Sequence, residues 1–420
     1  TATAAGNIRI DAHFDADTSG GANASTGSPS GASISLAEGS VNSSTAVAKL
    51  KSSAYITGGG TISGADIKAE ATSITRADAY ASSTLAVTFA TLGSLYANAY
   101  TRDEVTAYVG DNTTLIATGD IVVNANGDTN TDATCETPGS VTLANVSGAR
   151  VGSSVGLNTS FRQKVLAYVG DSSTLSADGN VSITAYNEGK STSKILKGVN
   201  VSGLSISTCI VKTNGFYYTM ARVGENSQIT AGGDITITAE DYPDAYTLVK
   251  ATNVGILIEA GNMYAQNTLS QRVVVQIKQG AILDAFGGIN IAAISGAKMY
   301  AKTNVNSGGI ISAGKLQAYN TITNRNVDAL IGDGVSITSN YGNINISSSA
   351  GLNDDIYTSA VGNSAGLVTI STAETHTKIT STCDTTVGVG VTIRNTFMTI
   401  TIAAYNGEGS IQTIGDFGSG

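Results

Sequence analysis

Apolar and polar residues alternate strictly in short stretches along this chain. Each stretch has the form apolar-x-apolar and follows a turn former, as where Gly119-Asp120 precedes Ile121 and Val123. Alternation of β-branched residues with a period of two is typical of a half-buried strand, and Gly and Asx residues favour turns. The pattern therefore predicts an all-β chain of short strands joined by sharp corners. The alternating pairs are Ile8/Ile10, Ile121/Val123, Val181/Ile183, Ile235/Ile237, Ile289/Ile291, Ile344/Ile346 and Ile400/Ile402.

The alternating strands belong to a longer repeat. AYVGD occurs at 107–111 and again at 167–171, and the residues that follow the two copies also match. Degraded copies recur with their apolar anchor residue every 53 to 60 positions, which gives a period near 54. Self-similarity at a fixed period indicates a repeat architecture. The anchors are Ile56, Val109, Val169, Val223, Ile277, Ile331 and Val387.

A second, looser motif lies between the anchors, as VSGAR at 146–150, VSGLS at 201–205, NVGIL at 253–257 and SAGLV at 364–368. We interpret each repeat as two strand-turn-strand halves of about 27 residues, and we predict a right-handed parallel β-helix with two rungs per repeat. At 4.7–4.9 Å per stacked strand, about 15 rungs would form one elongated solenoid over residues 1–420, on the order of 70 Å long. Ile235/Ile237 and Ile289/Ile291 should stack along one interior wall. Residues 15–33 are rich in Gly and Ser, and we expect a flexible loop or spacer there.

Composition narrows the possible partners and compartment. Charged residues make up 13% of the chain, about half of the roughly 25% usual in soluble domains, so Ser, Thr and Asn must provide most of the polar surface. The net charge of −9 comes without a cluster of Lys and Arg, which argues against nucleic-acid binding. No apolar run approaches the roughly 18 residues needed to span a bilayer. Cys135, Cys209 and Cys383 are scattered, which favours small buried apolar residues over disulfides or a zinc site.

Three stretches resemble a known class of repeat: AYVGDNTTLIATGDIVVNA, ARVGENSQITAGGDITITA and ALIGDGVSITSNYGNINIS. They are similar to the β-helical shafts of bacterial filamentous-haemagglutinin-like and leukotoxin-family filamentous adhesins. The resemblance covers residues from about 54 to 404. It implies a β-helical shaft at an extracellular or cell-surface location, and it carries no information about a ligand.

Candidate chemistry is sparse in the sequence. Asp354-Asp355 and the pair Asp241/Asp244 are the best acidic clusters, and calcium at Asp354 and Asp355 is possible if both lie on a loop; a solvated turn is the alternative. No other cofactor is expected. GSSVG at 152–156 matches a nucleophile-elbow pattern at Ser154, but that pattern requires a strand-to-helix turn. The two histidines, His13 and His376, are too far apart in the chain to share a site along a rod, and we expect no catalytic residues.

Tyrosines are the main aromatic resource, with 17 in the chain. Tyr55, Tyr108 and Tyr168 each precede an anchor, so alternation places them on the outer face. They serve there either as strand formers or as a stripe on which a carbohydrate or receptor could stack.

Two function classes remain. The first is an extracellular structural or adhesive fibre element that binds copies of itself, with a surface carbohydrate or protein as a second candidate partner. The second is a carbohydrate-active β-helix enzyme of the polysaccharide-lyase type, for which no acid/base constellation is evident. For the fibre, we expect Ile414, Gly415 and Asp416 to begin a motif that Gly6, Asn7, Ile8 and Ile10 of the next molecule complete. Alternatively, the chain is an excerpt of a longer tandem polypeptide, and the same junction is covalent.

Overall fold

The computed structural model describes residues 2–18, 23–25, 33–57, 59–83, 86–155, 162–407 and 409–419. These residues form strands and turns, with no helix among them, as the alternating pattern predicted. The strands are β1 Ala2–Thr3, β2 Ile8–Thr18, β3 Asn23–Ser25, β4 Ser33–Ile56, β5 Thr61–Gly64, β6 Ile67–Ser82, β7 Ala86–Val109, β8 Thr114–Ala117, β9 Ile121–Val155, β10 Gln163–Val169, β11 Thr174–Ala177, β12 Val181–Val223, β13 Gln228–Ala231, β14 Ile235–Ile277, β15 Ile282–Ala285, β16 Ile289–Ser295, β17 Lys298–Gly308, β18 Ile311–Ile331, β19 Ser336–Ser339, β20 Ile344–Ala350, β21 Asp355–Ala365, β22 Val368–Val387, β23 Thr392–Asn395, β24 Ile400–Asn406 and β25 Ser410–Ser419.

Each strand pairs in parallel with the strand one repeat away. Val169 pairs with Val109 on one side and with Val223 on the other. All seven anchors form one such column, which begins at Ile56 and ends at Val387. The short strands after the anchors form a separate eight-stranded sheet, β1-β5-β8-β11-β13-β15-β19-β23. The chain therefore winds as a β-solenoid in which paired residues lie one repeat apart.

The register shows that a repeat forms one coil, so the prediction of two rungs per repeat is wrong. In β12 the chain runs from Val181 to Val223 and pairs with β14 throughout at an offset of 53 to 54 residues. The second motif, such as VSGLS at 201–205, lies midway along this pairing, where the coil turns back. Eight layers at 4.7–4.9 Å give an axial length of roughly 35 Å, about half of the length expected for two rungs per repeat.

Each coil consists of a corner and two arms. In the coil that follows Val169, the corner contains β11 and the strand ends at 181–185 and 221–223, the arms are residues 187–199 and 208–219, and the far turn lies at 200–206. The corner encloses columns of Ile, Val and Leu, among them Ile183, Ile237 and Ile291, all 0% exposed. Ile235 pairs with Ile289 and Ile237 with Ile291, so the predicted interior wall is confirmed.

The arms enclose a thinner interior. A second apolar cluster near the far turn consists mainly of small residues such as Ala97, Val151 and Ala265. Between this cluster and the corner, the inward positions include many Ser, Thr and Asn residues and a third apolar cluster, which contains Val155, Tyr217, Leu269 and Met299. Small side chains fill much of the interior of the arms, and the fully buried Tyr217, Met263 and Arg325 fill the wider places.

The predicted spacer at 15–33 falls largely outside the described residues. Residues 15–18, 23–25 and 33 lie in strands, and the other positions of this segment are not among those described. None of the described residues belongs to a helix long and apolar enough to cross a membrane.

Candidate functional site

Hydroxyl groups bond across the interior from one arm to the other. The Ser153 and Ser193 hydroxyls lie 2.7 Å apart, and the Thr213 hydroxyl donates to Ser193 Oγ at 3.0 Å. All three side chains are at most 1% exposed. We name the polar residues of the interior between the corner core and the cluster near the far turn the polar seam. A buried polar group is stable only when it is hydrogen-bonded, so the facing positions of the two arms must match.

Asparagines extend the seam along the solenoid axis. Asn267 Nδ2 donates to Asn320 Oδ1, its partner one coil away, at 2.8 Å, and Asn320 Nδ2 donates across the interior to Thr358 Oγ1 on the facing arm at 2.8 Å. Nearer the far turn, Asn200 Nδ2 donates to Asn253 Oδ1 at 3.2 Å. Stacked amide ladders of this kind link neighbouring parallel strands, so the side chains repeat the register that the backbone sets.

Charged groups interrupt the seam at one connected cluster. Asp241 is 0% exposed and accepts hydrogen bonds from Asn187 Nδ2 at 2.9 Å and Gln271 Nε2 at 3.0 Å. Burial raises the pKa of Asp241 to about 7, although the bonds from Gln271 and Asn187 and the charge of Arg325 oppose that rise. The carboxyl group therefore binds a proton more tightly in the folded protein than in the unfolded chain.

The cluster continues to a buried ion pair. Arg325 Nε donates to Gln271 Oε1 at 2.8 Å, and its Nη1 and Nη2 donate to the two oxygens of Asp354 at 2.7 and 3.1 Å. Arg325 is 1% exposed and Asp354 is 7% exposed. The backbone N–H of Ala297 donates to Asp354 Oδ1 at 2.8 Å. Bidentate geometry and the additional donors satisfy both charges, which is the condition under which a buried ion pair is tolerated.

Two further carboxyl groups lie in the interior. Asp103 is 1% exposed and accepts hydrogen bonds from the Ser73 and Thr75 hydroxyls. Glu259 is 1% exposed and accepts a bond from Ser312 at 3.2 Å. Burial raises the pKa of both groups, that of Glu259 to about 7. Because these carboxyls are closed off from solvent, they can stabilise the interior but cannot meet a substrate.

The predicted calcium residues do not converge. Asp354 points inward to Arg325, whereas Asp355 accepts a hydrogen bond from the Tyr300 hydroxyl on the outer face. Asp241 is likewise buried, and Asp244 lines an outer cleft. Asp241 and Asp244 are three positions apart in β14, so alternation places them on opposite faces. Asp354 immediately precedes β21 and Asp355 begins it, and their side chains likewise have partners on opposite sides. No group of three or more His, Cys, Asp and Glu side chains that could hold a metal is found within the described part of the chain.

The predicted assembly residues lie in two different parts of the coil. Ile8 and Ile10 pack against the corner core and pair with Ile67 and Ala69. Ile414 pairs with Ser359 on an arm, half a coil away from the anchor column. Gly415 and Asp416 follow it and pair with Ala360 and Val361. The chain's own β23 and β24 form the last corner, and Ile414 lies outside the anchor column. Contact of these residues with Gly6, Asn7, Ile8 and Ile10 of a second molecule stays a prediction.

The tyrosines before the anchors form a stacked ladder. The ring centroids of Tyr55 and Tyr108 lie 5.3 Å apart and those of Tyr108 and Tyr168 lie 4.9 Å apart, with interplanar angles of 18° and 7°. Arg222 covers the next face, 4.8 Å from the Tyr168 centroid. The faces of Tyr108 are therefore used within the ladder, which leaves only ring edges for a sugar at that position. This favours the role of strand former at Tyr108.

Ser154, the residue of the nucleophile-elbow pattern, lies in β9 one position before the strand ends at Val155, and no helix occurs among the residues that the structure describes. His376 is exposed on β22, at the end of an aromatic row, with its ring centroid 6.2 Å from that of Tyr319. Cys135 and Cys209 are buried and Cys383 is partly buried, all as free thiols.

An outer cleft of about 430 Å³ lies on the outgoing arms, lined by Lys190, Thr192, Lys194, Asp244, Tyr246 and Tyr300. The rings of Tyr246 and Tyr300 are tilted by 41°, with centroids 6.4 Å apart. Tyr300 also contacts Tyr357, with ring centroids 6.3 Å apart and a tilt of 35°, so these rings are tilted, whereas Tyr108 is stacked face to face with its neighbours.

Comparison with known proteins finds no matching family model, no similar curated protein and no similar solved structure. The resemblance to filamentous adhesin repeats therefore depends on the motifs alone.

Proposed function

We propose that this chain is a structural segment of an extracellular fibre, a right-handed β-solenoid whose layers continue from one copy to the next. The observation that carries this proposal is a single column of inward apolar residues, which starts at Ile8 and ends at Ile400. Every layer repeats the same corner, so the surface at one end of the column matches the surface at the other.

A second copy would stack on this column at Ile400 and Ile402, which continue the columns of Ile344 and Ile346. Parallel strands of two copies would pair there through their backbone N–H and C=O groups. The partly buried Ile8 and Ile10 of a second copy would continue both columns. Such a head-to-tail contact builds an open filament when its rotation does not close.

The stacking can be tested with one inward and one outward substitution in the same strand. We expect the native chain to form filaments many molecules long by electron microscopy, and Ile402→Lys to abolish them because a charge would be buried at the junction. Thr401→Lys is the matched control and should retain them. Removal of residues 1–12 should also prevent growth while the central coils stay folded. Normal filaments from Ile402→Lys, or none from the native chain, would exclude this mechanism.

An adhesive role would use the outer cleft at Tyr246. Tilted tyrosine rings beside Lys190 and Asp244 offer both apolar contact and hydrogen bonds to a surface carbohydrate. Binding to a glycan array that is lost in Tyr246→Ala, and kept in Tyr108→Ala, would support this role. An array without any bound glycan would leave the fibre as a purely structural element.

The alternative, a polysaccharide lyase, would require catalysis at the same cleft. We expect no release of unsaturated oligosaccharides from a panel of acidic polysaccharides. Release that disappears in Asp244→Asn or Lys190→Ala would favour the enzyme over the fibre.

A further inference from the structure

Exposed apolar side chains concentrate at the far turns of successive coils. They stack in register: Leu92 pairs with Val146 and Val146 with Ile206, while Ile258 pairs with Ile311 and Ile311 with Val368. We name this set the apolar ridge. Its members are Val41, Phe89, Leu92, Val141, Leu143, Val146, Val199, Ile206, Val254, Ile256, Leu257, Ile258, Ile310, Ile311, Leu367, Val368 and Ile370, each between 38% and 86% exposed.

The ridge is larger than the apolar patches of ordinary monomers. About half of each side chain in the ridge is exposed, so its members together present on the order of 1,000 Å² of apolar surface. The largest patch on a typical monomer is about 300–600 Å². A standard protein interface buries about 800 Å² on each partner, so the ridge is large enough for one complete interface.

A groove runs beside the ridge along the same axis. Two depressions of about 510 and 400 Å³ form it, the first lined by Ser94, Ser147 and Gly148 and the second by Ser207, Gly261 and Gly314. The groove is open because its residues are small. A Cβ atom added at Gly148 would meet nothing closer than the Ser94 hydroxyl at 3.8 Å.

Ridge and groove are complementary to each other. Both run parallel to the solenoid axis, and both repeat once per coil, so their side chains have the same spacing. A two-fold axis perpendicular to the solenoid axis would place the ridge of each molecule in the groove of the other. A two-fold interface requires such a self-complementary surface.

The charges near the groove do not favour a lipid surface. Lys315 on the groove wall is paired with Glu374, with Nζ and Oε2 3.3 Å apart. The chain has a net charge of −9, and anionic membranes attract basic segments. A second copy of this chain is the better occupant because it supplies both a ridge and a groove.

We propose that the apolar ridge and its groove form a lateral homodimer interface with antiparallel solenoid axes. Full overlap of the two ridges places the two-fold axis near the middle coil, at the level of Thr208. This contact lies on the side of the solenoid and is independent of the head-to-tail stacking proposed above.

The experiment uses the Ile402→Lys chain, in which end stacking is blocked, so that dimers are not confused with filaments. Sedimentation equilibrium should show a dimer. Leu257→Lys, which places a charge on the ridge, and Gly148→Leu, which fills the groove, should each weaken it at least tenfold. Phe286→Lys is the matched control, because Phe286 is 55% exposed and Leu257 56%, and it should leave the dimer intact.

Disulfide formation tests the geometry separately. Thr208→Cys should cross-link to its own copy on mild oxidation. Ser94→Cys should cross-link only when mixed with Lys315→Cys, because Ser94 lies two coils before Thr208 and Lys315 two coils after it. A monomer at all concentrations, a dimer unaffected by both Leu257→Lys and Gly148→Leu, or a monomer that floats with phospholipid vesicles would each overturn the proposal. Absence of filaments from the native chain, with this dimer intact, would count against head-to-tail stacking alone.

Discussion

At the residue scale, the most demanding interaction is the buried pair of Arg325 and Asp354. The hydrogen-bonding groups of the two side chains are satisfied only when both residues are present, because Arg325 donates to Gln271 and to both oxygens of Asp354. Replacing a whole buried ion pair with apolar residues is often neutral, whereas removing one partner leaves an uncompensated charge. The stability of the fold at this position therefore depends on the presence of both partners more than on the presence of charged groups.

We predict that Asp354→Ala lowers the free energy of unfolding by about 3–5 kcal/mol, because Arg325 would be left buried and unpaired. The double variant Arg325→Met with Asp354→Leu should recover most of that loss. Asp355→Asn, one residue away and on the outer face, should change stability by about 0.5 kcal/mol or less. Urea unfolding monitored by circular dichroism measures all three. Equal losses from Asp354→Ala and the double variant would contradict the account.

Asp241 predicts a dependence of stability on pH. Its pKa is raised from 3.8 to about 7, so between these values the folded chain binds more protons than the unfolded chain. Its contribution to stability is therefore fully present below about pH 4 and is lost as the pH rises through about 7. Glu259 acts in the same direction.

Asp241→Asn should therefore flatten the fall in unfolding free energy between about pH 4 and pH 7 by a few kcal/mol, because one pKa unit corresponds to about 1.4 kcal/mol. Urea midpoints at several pH values provide the measurement. Part of the slope should persist because Glu259 remains, and combining Asp241→Asn with Glu259→Gln should reduce it further. An unchanged slope in both variants would show that these carboxyls are not the groups that titrate.

At the element scale, each corner depends on one residue with left-handed backbone. These residues stack in a column, and the column contains both glycine and non-glycine members. Asn residues tolerate this conformation better than most because their short side chain bonds locally. The members are Gly59, Asn112, Ser172, Asn226, Gly280, Gly334 and Gly390, with φ between 53° and 71°.

Gly334 isolates the conformational cost, because a Cβ atom there would meet nothing within 4 Å. We predict that Gly334→Ala destabilises the fold by about 1 kcal/mol through its φ of 64° alone. Gly6→Ala is the matched control, since Gly6 also has open space and lies outside the left-handed region. It should be neutral or slightly stabilising. Thermal unfolding of the two variants decides, and equal effects would refute the argument.

The corner was predictable from sequence and the arms were not. Anchors and alternating pairs consist of large β-branched residues with strict spacing, and every predicted anchor occupies its column. The arms use Ala, Ser, Thr and Gly in the same alternation, and their far turn contains glycine, as a rung corner does. In the sequence, the far turn therefore resembles a corner, which suggested a coil of half a repeat. The backbone hydrogen bonds join residues that are one full repeat apart.

The alternation of positions along the chain contains a signal of the polar seam that amino-acid composition does not. Asp241 lies two positions after Ala239 and four after Ile237, so alternation places it inward. Reading it as half of an acidic pair with Asp244 overlooked this parity. Its partners Gln271 and Arg325 lie 30 and 84 residues further along, and only the register of the coils brings them together.

At the scale of the whole molecule, each coil contacts its neighbours above and below and little else. Stability in such a solenoid is approximately a sum of coil terms and nearest-neighbour interface terms. A core position in a central coil has two stacked neighbours, and one in the last layer has a single neighbour. The same substitution should therefore have different effects at the two places.

Ile237 and Ile402 occupy the same column. Ile237 is 0% exposed and pairs with Ile183 and Ile291, whereas Ile402 is 46% exposed and pairs with Ile346. We predict that Ile237→Asp costs several kcal/mol because a carboxylate would be buried without a partner, and that Ile402→Asp costs about 1 kcal/mol or less because water reaches it. Thr236→Asp, on the outer face, is the control.

Hydrogen exchange on unassembled protein should show protection lost throughout the coils next to Ile237 in the Ile237→Asp variant, and only around β24 in the Ile402→Asp variant. If copies stack head to tail, assembly covers Ile402, and its substitution should then weaken the filament far more than the monomer. Comparable destabilisation of the monomer by both aspartates would mean that the coils do not contribute through neighbour contacts.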